Sequence, residues 1–202
     1  MGTYNIFQTP IFIKTLNGYQ RDIFDKELWN AYNNLEARKG MYHSKDTGKA
    51  LSGASLSSSA DNLLGKEELS NTCEILKDYI KQHVSEIAGS KKKVDEFDIV
   101  ASWFTSTRSE QFIAPHTHRG KDMSGVYYLQ TNKKDGNLNL YNPTTALDTT
   151  CYIENKKDLS IIPKEGQLIL FPSWVLHGTV TNETQSNRIS FSFDIVFERK
   201  KL

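Results

Sequence analysis

The sequence has few cysteines, almost no net charge and no long apolar run, and each shortage excludes a class of protein. Its 202 residues include two cysteines, Cys73 and Cys151, which are too few for a disulfide framework and indicate a reducing compartment. A formal net charge of +1 argues against a general nucleic-acid-binding protein. No apolar run approaches the ~20 residues that cross a bilayer, and the start of the chain lacks the pattern of a signal peptide. We therefore expect a cytoplasmic protein with neither nucleic-acid nor membrane partners.

Apolar residues recur at helical spacing in two stretches of the first half of the chain. Residues 25–38 predict one helix, and residues 66–87 predict a longer one. Cys73 falls on the apolar stripe of the longer helix, so we interpret it as a core residue, whereas His83 lies beside the stripe and is expected on the surface. The polar residues 43–59 predict a long loop, which in a compact domain is either functional or disordered.

From residue 97 onward the pattern changes to short strands separated by turn residues. A strand with Pro10 inside it is also expected at residues 4–14, at a sheet edge, because proline cannot donate to a central ladder. Many short strands at regular spacing favour a sandwich or barrel. We predict one domain over 1–202, with helical support in 1–96 and a β-rich core in 97–198. The core strands are expected at residues 98–106, 112–118, 124–130, 138–141, 151–153, 160–162, 167–171, 175–181 and 188–198.

Three of the five histidines lie in two short segments of this β-rich part. His116 and His118 are two residues apart, so in a strand both side chains would leave the same face. His177 follows an apolar run, where a charged imidazole would be costly and a neutral, metal-bound one would be stable. This combination favours a mononuclear metal site. The commonest non-haem Fe(II) arrangement uses two histidines and a carboxylate; since His118 occupies the carboxylate position, the third ligand is either His118 or the nearby Asp122.

Taken in order, the motifs of residues 97–198 resemble those of the 2-oxoglutarate- and Fe(II)-dependent oxygenases. The likeness is greatest to the prolyl-hydroxylase-like branch and to a group of bacterial and phage oxygenases. In that family a His-x-Asp/Glu pair precedes a strand ending in Tyr-Leu, then a Gly-rich turn, an apolar strand with a histidine, and Arg-x-Ser about ten residues later. The corresponding segments here are His116-Thr-His118, Tyr128-Leu129, Asp135-Gly136-Asn137, the run ending in His177, and Arg188-Ile-Ser190.

The resemblance implies a mainly β fold with flanking α-helices, a double-stranded β-helix (jelly roll), with Fe(II) and the co-substrate 2-oxoglutarate bound at its open end. The metal ligands that it implies are His116, His118 and His177. Arg188 would pair with the distal carboxylate of 2-oxoglutarate, because a planar guanidinium binds a carboxylate bidentately. Ser190 and Tyr128 would hydrogen-bond the same end. The implied reaction is hydroxylation of a small molecule or a protein side chain such as proline.

Two other hypotheses remain open at the level of sequence. The spacing His116-x-His118-x3-Asp122, with His177 later, also resembles metal-binding cupins of other chemistry, although those do not need Arg188. A non-catalytic binding protein on the same barrel is the third hypothesis, and only the histidine in the carboxylate position favours it. A metal analysis would separate this last hypothesis from the other two.

Three large aromatic residues are expected near the site. We expect Trp103, Trp174 and Phe171 to line or close the core, and Trp174, three residues before His177, to form the rim of the site. By position alone, the strand near Trp103 and the loop at 43–59 are predicted to contact substrate.

Overall fold

The computed structural model describes residues 9–37, 41–43, 56–58, 62–88, 96–143 and 158–198. Helix α1 spans Gly18–Ala37 and helix α2 spans Ser70–Ala88, with the short 3-10 turns Leu63–Gly65 and Glu67–Leu69 just before α2. The strands within these ranges are β1 (Phe12–Thr15), β2 (Met41–His43), β3 (Leu56–Ser58), β4 (Phe97–Thr107), β5 (Met123–Gln130), β6 (Leu138–Tyr141), β7 (Asp158–Ile161), β8 (Gln167–Pro172), β9 (His177–Thr179) and β10 (Arg188–Phe197).

The strands form two antiparallel sheets that pack face to face. The larger sheet has the order β1-β8-β5-β10-β4-β3-β2, and the smaller has the order β7-β6-β9. An inner apolar cluster contains residues of both sheets, which shows that they share one interior. Its buried members are Val126, Tyr128, Leu138, Leu140, Ile161, Ile169, Phe171 and Val175.

Strand β10 has one face toward this interior and one toward the helices. Successive side chains alternate between the two faces of a strand. Phe191 and Phe193 belong to the outer apolar cluster, which includes residues of α1 and α2. Arg188, Ser190 and Asp194 lie on the opposite face, and Ser190 and Asp194 pair in register with β5 residues. A cation, a hydroxyl and a carboxylate therefore line one side of the barrel interior.

Both predicted helices are present, with different beginnings. The first begins at Gly18 rather than at residue 25, because its apolar stripe already includes Phe24, which is fully buried. The second begins at Ser70, after a 3-10 turn that occupies the predicted first residues. Glu27 of α1 accepts hydrogen bonds from the main-chain N–H and the hydroxyl of Thr72. This side chain from another helix satisfies an N–H group in the first turn of α2, which has no partner within the helix.

The prediction of a surface position for His83 is wrong. The side chain is 4% exposed, and its ring lies 5.4 Å from that of Phe12. Since Phe12 belongs to β1, which pairs with β8, helix α2 covers the edge of the sheet, and His83 lies in that contact. Cys73, as predicted, packs against the core, although it is only partly buried.

Several predicted strands differ from those observed. The strand expected at 112–118 is wrong as a continuous element, since His116 makes only an isolated bridge there. Pro115 interrupts the segment because it has no N–H to donate. The loop expected at 43–59 is wrong at its end, where Leu56–Ser58 forms β3 and pairs with β4. The edge strand is confirmed, although only as Phe12–Thr15, and residues 151–153 lie outside the described ranges.

Candidate metal and co-substrate site

His116 and His177 are held opposite each other by main-chain hydrogen bonds. The N–H of His116 donates to the carbonyl of His177 at 2.8 Å, and the N–H of His177 donates to the carbonyl of His116 at 3.0 Å. Gly178 allows this close approach, because a Cβ there would lie 2.8 Å from the carbonyl oxygen of Ile113 and 3.0 Å from the nitrogen of Pro115. The irregular segment before His116 and strand β9 are thereby fixed relative to each other.

His118 is positioned by the loop after β8 and by β10. Its main-chain N–H donates to the carbonyl of Ser173 at 3.0 Å, and its Nδ1 lies 2.6 Å from Oδ1 of Asp194. The ring of Trp103 stacks on the imidazole at a centroid distance of 5.6 Å. Contacts on the main chain, on Nδ1 and on one ring face leave Nε2 directed at the other two histidines.

The three imidazoles converge as predicted, although not through regular strand alternation. Their candidate ligand atoms all lie within 4.8 Å of one another. The Nδ1 atoms of His116 and His177 lie 2.9 Å and 2.8 Å from the carbonyl oxygens of Ala114 and Val175. Oxygens of these kinds only accept, as does the carboxylate beside His118, so each Nδ1 carries a proton and each Nε2 presents a lone pair.

These nitrogen atoms fit a metal ion. The Nε2 atoms of His116 and His118 are 3.1 Å apart, and two lone pairs at that distance repel unless a metal ion accepts both or a proton is shared between them. Donors ~2.1 Å from an ion and at a right angle around it would be ~3.0 Å apart. Imidazole nitrogen suits Fe(II), Zn(II), Cu(II) and Ni(II), so the donor set alone does not select iron.

The electrostatic environment keeps His177 in the neutral form that a metal requires. Burial, followed by the neighbouring His116, lowers the pKa of His177 from 6.5 to about 3. Phe171 contributes to this burial, since its ring lies 4.7 Å from the imidazole at an interplanar angle of 64°. The expected core position of Phe171 is thus confirmed, and it places an apolar wall beside the site.

Arg188 crosses the barrel interior from β10 to the smaller sheet. Its side chain is 1% exposed. Nη1 donates to the carbonyl oxygens of Asp135 and Gly136, and Nη2 donates to the hydroxyls of Thr107 and Thr179 at 3.1 and 3.0 Å. Among the described residues, no carboxylate lies within 4.0 Å of the guanidinium. Burial lowers the pKa of Arg188, with the charges of Tyr128 and Asp135 acting in the opposite direction. Since guanidinium stays charged in proteins, the described part of the interior contains a cation with no carboxylate in direct contact.

Tyr128 and Ser190 lie beside this cation as cross-strand partners on β5 and β10. Both are buried. Within the described ranges, neither hydroxyl hydrogen-bonds another residue of the chain. Burial raises the pKa of Tyr128 to about 12, with Arg188 acting in the opposite direction. Two neutral hydroxyls and a cation with no carboxylate in direct contact among the described residues therefore face the same part of the interior, a combination suited to a carboxylate ligand.

The carboxylate near the histidines is Asp194, which the sequence prediction missed. Asp122, the expected candidate, accepts a hydrogen bond from the main-chain N–H of Phe197 at 2.9 Å and is not part of the histidine cluster. The geometry therefore favours His118 over Asp122 as the third ligand. A signal for Asp194 did exist, because it is the only carboxylate in the apolar strand β10 and shares the face of Arg188 and Ser190.

Two tryptophans define the surroundings of the cluster. Trp103 is partly buried against His118, whereas Trp174, in the turn between β8 and β9, is 54% exposed. The expectation that Trp174 lines or closes the core is therefore wrong, although its exposure is that of a rim residue. Trp103, like Phe171, is in direct contact with the cluster. Along the described ranges, no helix is both long enough and apolar enough to cross a membrane.

One family model matches part of the chain. A family model described as "Putative 2OG-Fe(II) oxygenase" matches residues 101–194, a segment that contains the histidine cluster, Arg188 and Asp194. No curated protein sequence matches the chain. The family match favours the oxygenase hypothesis over the cupin hypothesis.

Solved structures establish the fold. A prolyl-4-hydroxylase from Pseudomonas putida is 16% identical, with a TM-score of 0.64 over 95% of this chain and 94% of that chain. The viral collagen prolyl hydroxylase of Paramecium Bursaria Chlorella virus-1 is 12% identical, with a TM-score of 0.59 over 92% and 95%. The alpha ketoglutarate-dependent epimerase SnoN from nogalamycin biosynthesis is 14% identical, with a TM-score of 0.67 over 94% and 77%. Identities this low show the fold alone, and it is the predicted double-stranded β-helix with flanking helices.

Proposed function

We propose that the chain is a 2OG-Fe(II) oxygenase that hydroxylates a small molecule or a protein side chain, a proposal supported by the family model that matches residues 101–194. Fe(II) and 2-oxoglutarate are the cofactor and co-substrate of this family. The proposed reaction converts R–H, 2-oxoglutarate and O2 into R–OH, succinate and CO2. One oxygen atom enters the product and the other enters succinate.

We assign the metal to His116, His118 and His177. Their Nε2 lone pairs converge, and their Nδ1 protons are held by fixed acceptors. When bound, Fe(II) supplies the activation of O2 and the oxidative decarboxylation of 2-oxoglutarate. The protein's part is to hold the three imidazoles neutral and oriented and to exclude water with walls such as Phe171.

Arg188 provides the observation that supports this function best. The terminal N–H groups of Arg188 donate to neutral acceptors of the chain, which leave the positive charge itself without a contacting carboxylate among the described residues. A buried charge of this kind is costly, and a dicarboxylate co-substrate would supply the negative charge. We propose that Arg188 binds the distal carboxylate and that Tyr128 and Ser190 hydrogen-bond the same group. Since Thr179, which contacts Arg188, lies two residues after His177 on β9, the cation is linked directly to the strand that presents a metal ligand.

The structural neighbours differ from one another in substrate and in reaction. The P. putida and viral proteins are prolyl hydroxylases, whereas SnoN is an epimerase, also described in complex with Fe3+, alpha ketoglutarate and nogalamycin RO. We propose hydroxylation because the family model is that of an oxygenase. Incubation of proline-containing peptides and small metabolites under 18O2 tests this, since hydroxylation places one labelled oxygen in the product and epimerisation places none.

The co-substrate assignment is tested by titrating 2-oxoglutarate into the Mn(II)-loaded protein in a calorimeter and by measuring succinate formation with Fe(II) and O2. For Arg188→Ala we expect a dissociation constant raised by roughly 30-fold or more, because truncating one partner of a buried charge pair costs on the order of 2–5 kcal/mol. Arg188→Lys keeps the charge but loses the bidentate fork, so an intermediate loss is expected. Arg108→Ala, which removes an exposed guanidinium, is the matched control.

Arg188→Ala also removes donors from two main-chain carbonyls, so its folding is checked by circular dichroism, and Arg188→Lys provides the milder comparison. Wild-type affinity for 2-oxoglutarate in either folded variant would refute the assignment of Arg188. A wild-type protein that binds metal but shows no affinity for 2-oxoglutarate at millimolar concentration would refute the proposed function and favour a metal-binding cupin of other chemistry.

A further inference from the structure

The carboxylate of Asp194 is buried and hydrogen-bonds one of the three candidate ligands, His118. Its side chain is 8% exposed, and Oδ1 lies 2.6 Å from Nδ1 of His118. The main-chain acceptors beside His116 and His177 have no formal charge. The negative charge at the cluster is thus concentrated on the histidine that occupies the family's carboxylate position.

Hydrogen bonds fix this carboxylate in place. The Ser124 hydroxyl donates to Oδ1 of Asp194 at 2.7 Å and lies 2.7 Å from the Ser173 hydroxyl. The carbonyl of Ser173 in turn accepts the main-chain N–H of His118. The side chain and main chain of His118 are therefore tied to one short network that joins β5, β10 and the turn after β8.

The sheet is irregular at the same position. The pairing of β10 with β4 shifts register between Asp194 and Ile195, so that Asp194 pairs with Ala101 and Ile195 pairs with Ile99. Val100 is the extra residue and is exposed. Bulges of this kind re-aim side chains and are frequent beside functional sites. The local backbone thus departs from the regular ladder at the residue that reaches His118.

We propose that Asp194 is a positioning residue that supplies, through His118, the negative charge that a carboxylate ligand would otherwise place directly on the metal ion. This inference rests on the proposed metal site. A carboxylate that accepts the second N–H of a ligating imidazole fixes its tautomer and ring orientation and increases its basicity as a ligand. With Asp194 counted, the ion and its surroundings have the same net charge as in a site with two histidines and one direct carboxylate.

The chain offers a closely matched pair of variants. Asp194→Asn keeps the shape and an oxygen that can accept from Nδ1 of His118, but it removes the charge. Asp122→Asn is the control, because Asp122 is the carboxylate nearest to His118 in sequence and its side chain accepts a hydrogen bond from the main-chain N–H of Phe197. Asp194→Glu retains the charge at a longer reach.

The probe is Co(II), which does not oxidise readily and reports its ligand field in visible absorption. Titration of chelator-treated protein should show a dissociation constant raised roughly 10- to 100-fold by Asp194→Asn, the range usual for loss of such a partner, together with a shifted absorption spectrum. Asp122→Asn should match wild type in both. Asp194→Glu should recover part of the loss, which a purely steric role for Asp194 does not predict.

A variant with a carboxylate among the metal ligands, in place of the one at Asp194, provides an independent test. His118→Asp alone would place a second carboxylate near Asp194, where the two like charges oppose each other. His118→Asp combined with Asp194→Asn should therefore bind Co(II) more tightly than Asp194→Asn alone. If Asp194→Asn does not fold, as judged by circular dichroism, the same comparison is made between the double variant and His118→Asp, and the double variant should again bind more tightly.

The outcomes separate this inference from the proposed function. If wild type binds Co(II) and a folded Asp194→Asn binds it equally well, or if Asp122→Asn loses as much affinity, the role of Asp194 is refuted while the metal site stands. A double variant that binds no better than the single variants also refutes it. If wild type itself binds no divalent metal, the assignment of the three histidines is wrong, and the role of Asp194 falls with it.

Discussion

The buried His177 should make the metal-free protein lose stability on mild acidification. Burial, together with His116, lowers its pKa to about 3 in the folded protein, whereas an imidazole in an unfolded chain titrates near ~6.5. Between these pKa values the unfolded state binds a proton that the folded state does not. The stabilisation that the neutral His177 gives to the folded state is therefore fully present above the pKa of the unfolded state. It is lost progressively as the pH falls toward the pKa of the folded state.

The expected loss can be calculated. Proton linkage with these two pKa values gives a decrease in the free energy of unfolding of about 2 kcal/mol between pH 7 and pH 5. The size of this decrease depends almost entirely on the pKa of His177 in the unfolded chain, because pH 5 is well above its pKa of about 3 in the folded protein. A decrease of this size is large against a typical stability of ~5–15 kcal/mol.

The assay is urea unfolding of chelator-treated wild type and His177→Gln at pH 7 and pH 5. Burial also lowers the pKa of His83, but His83 is present in both proteins, so its contribution cancels in the comparison. The pH-dependent loss should be smaller in the variant by about 2 kcal/mol. Equal losses in the two proteins would refute the claim that the site holds His177 neutral.

Two further predictions concern the contacts that shape the site. Gly178→Ala would push its new Cβ against the carbonyl of Ile113, so we expect a loss of ~1–3 kcal/mol in stability and weaker Co(II) binding by titration; unchanged affinity would show that this contact does not set the histidine geometry. Tyr127→Phe removes a hydrogen bond of 2.7 Å to Asp25 and should lower the free energy of unfolding by ~1–3 kcal/mol without changing the affinity for 2-oxoglutarate. Tyr128→Phe, in contrast, should weaken the affinity for 2-oxoglutarate in the calorimetric titration. If Tyr127→Phe weakened the affinity for 2-oxoglutarate and Tyr128→Phe did not, the two faces of β5 would be assigned incorrectly.

Residues of the candidate site were recognisable in the sequence where their motifs are local. His116, His118 and His177 were recognisable from residue type and order, and the structure brings them together. Arg188 was recognisable as the start of a strand, and the structure buries it. The predicted reason for the convergence of His116 and His118 was wrong, however. Pro115 interrupts the expected strand, and His116 is held by a long-range bridge to His177 of β9 instead.

What the sequence did not reveal depends on register between distant strands. Asp194 reaches His118 across 76 residues, and only the alignment of β10 with β5 and the bulge beside β4 bring it there. His83 was misplaced for a similar reason, since the apolar stripe of α2 is local but the coverage of Phe12 by that helix is tertiary. The alternation of residues within one strand predicts which face of the sheet a residue occupies. It does not predict which distant residue that side chain contacts.

A crystal structure of the protein grown anaerobically with Mn(II) and 2-oxoglutarate tests the central claim most directly. The account predicts one anomalous peak bonded to the Nε2 atoms of His116, His118 and His177, with the distal carboxylate of 2-oxoglutarate in hydrogen-bond contact with Arg188. An ion bound elsewhere, or a 2-oxoglutarate whose carboxylates both avoid Arg188, would contradict it.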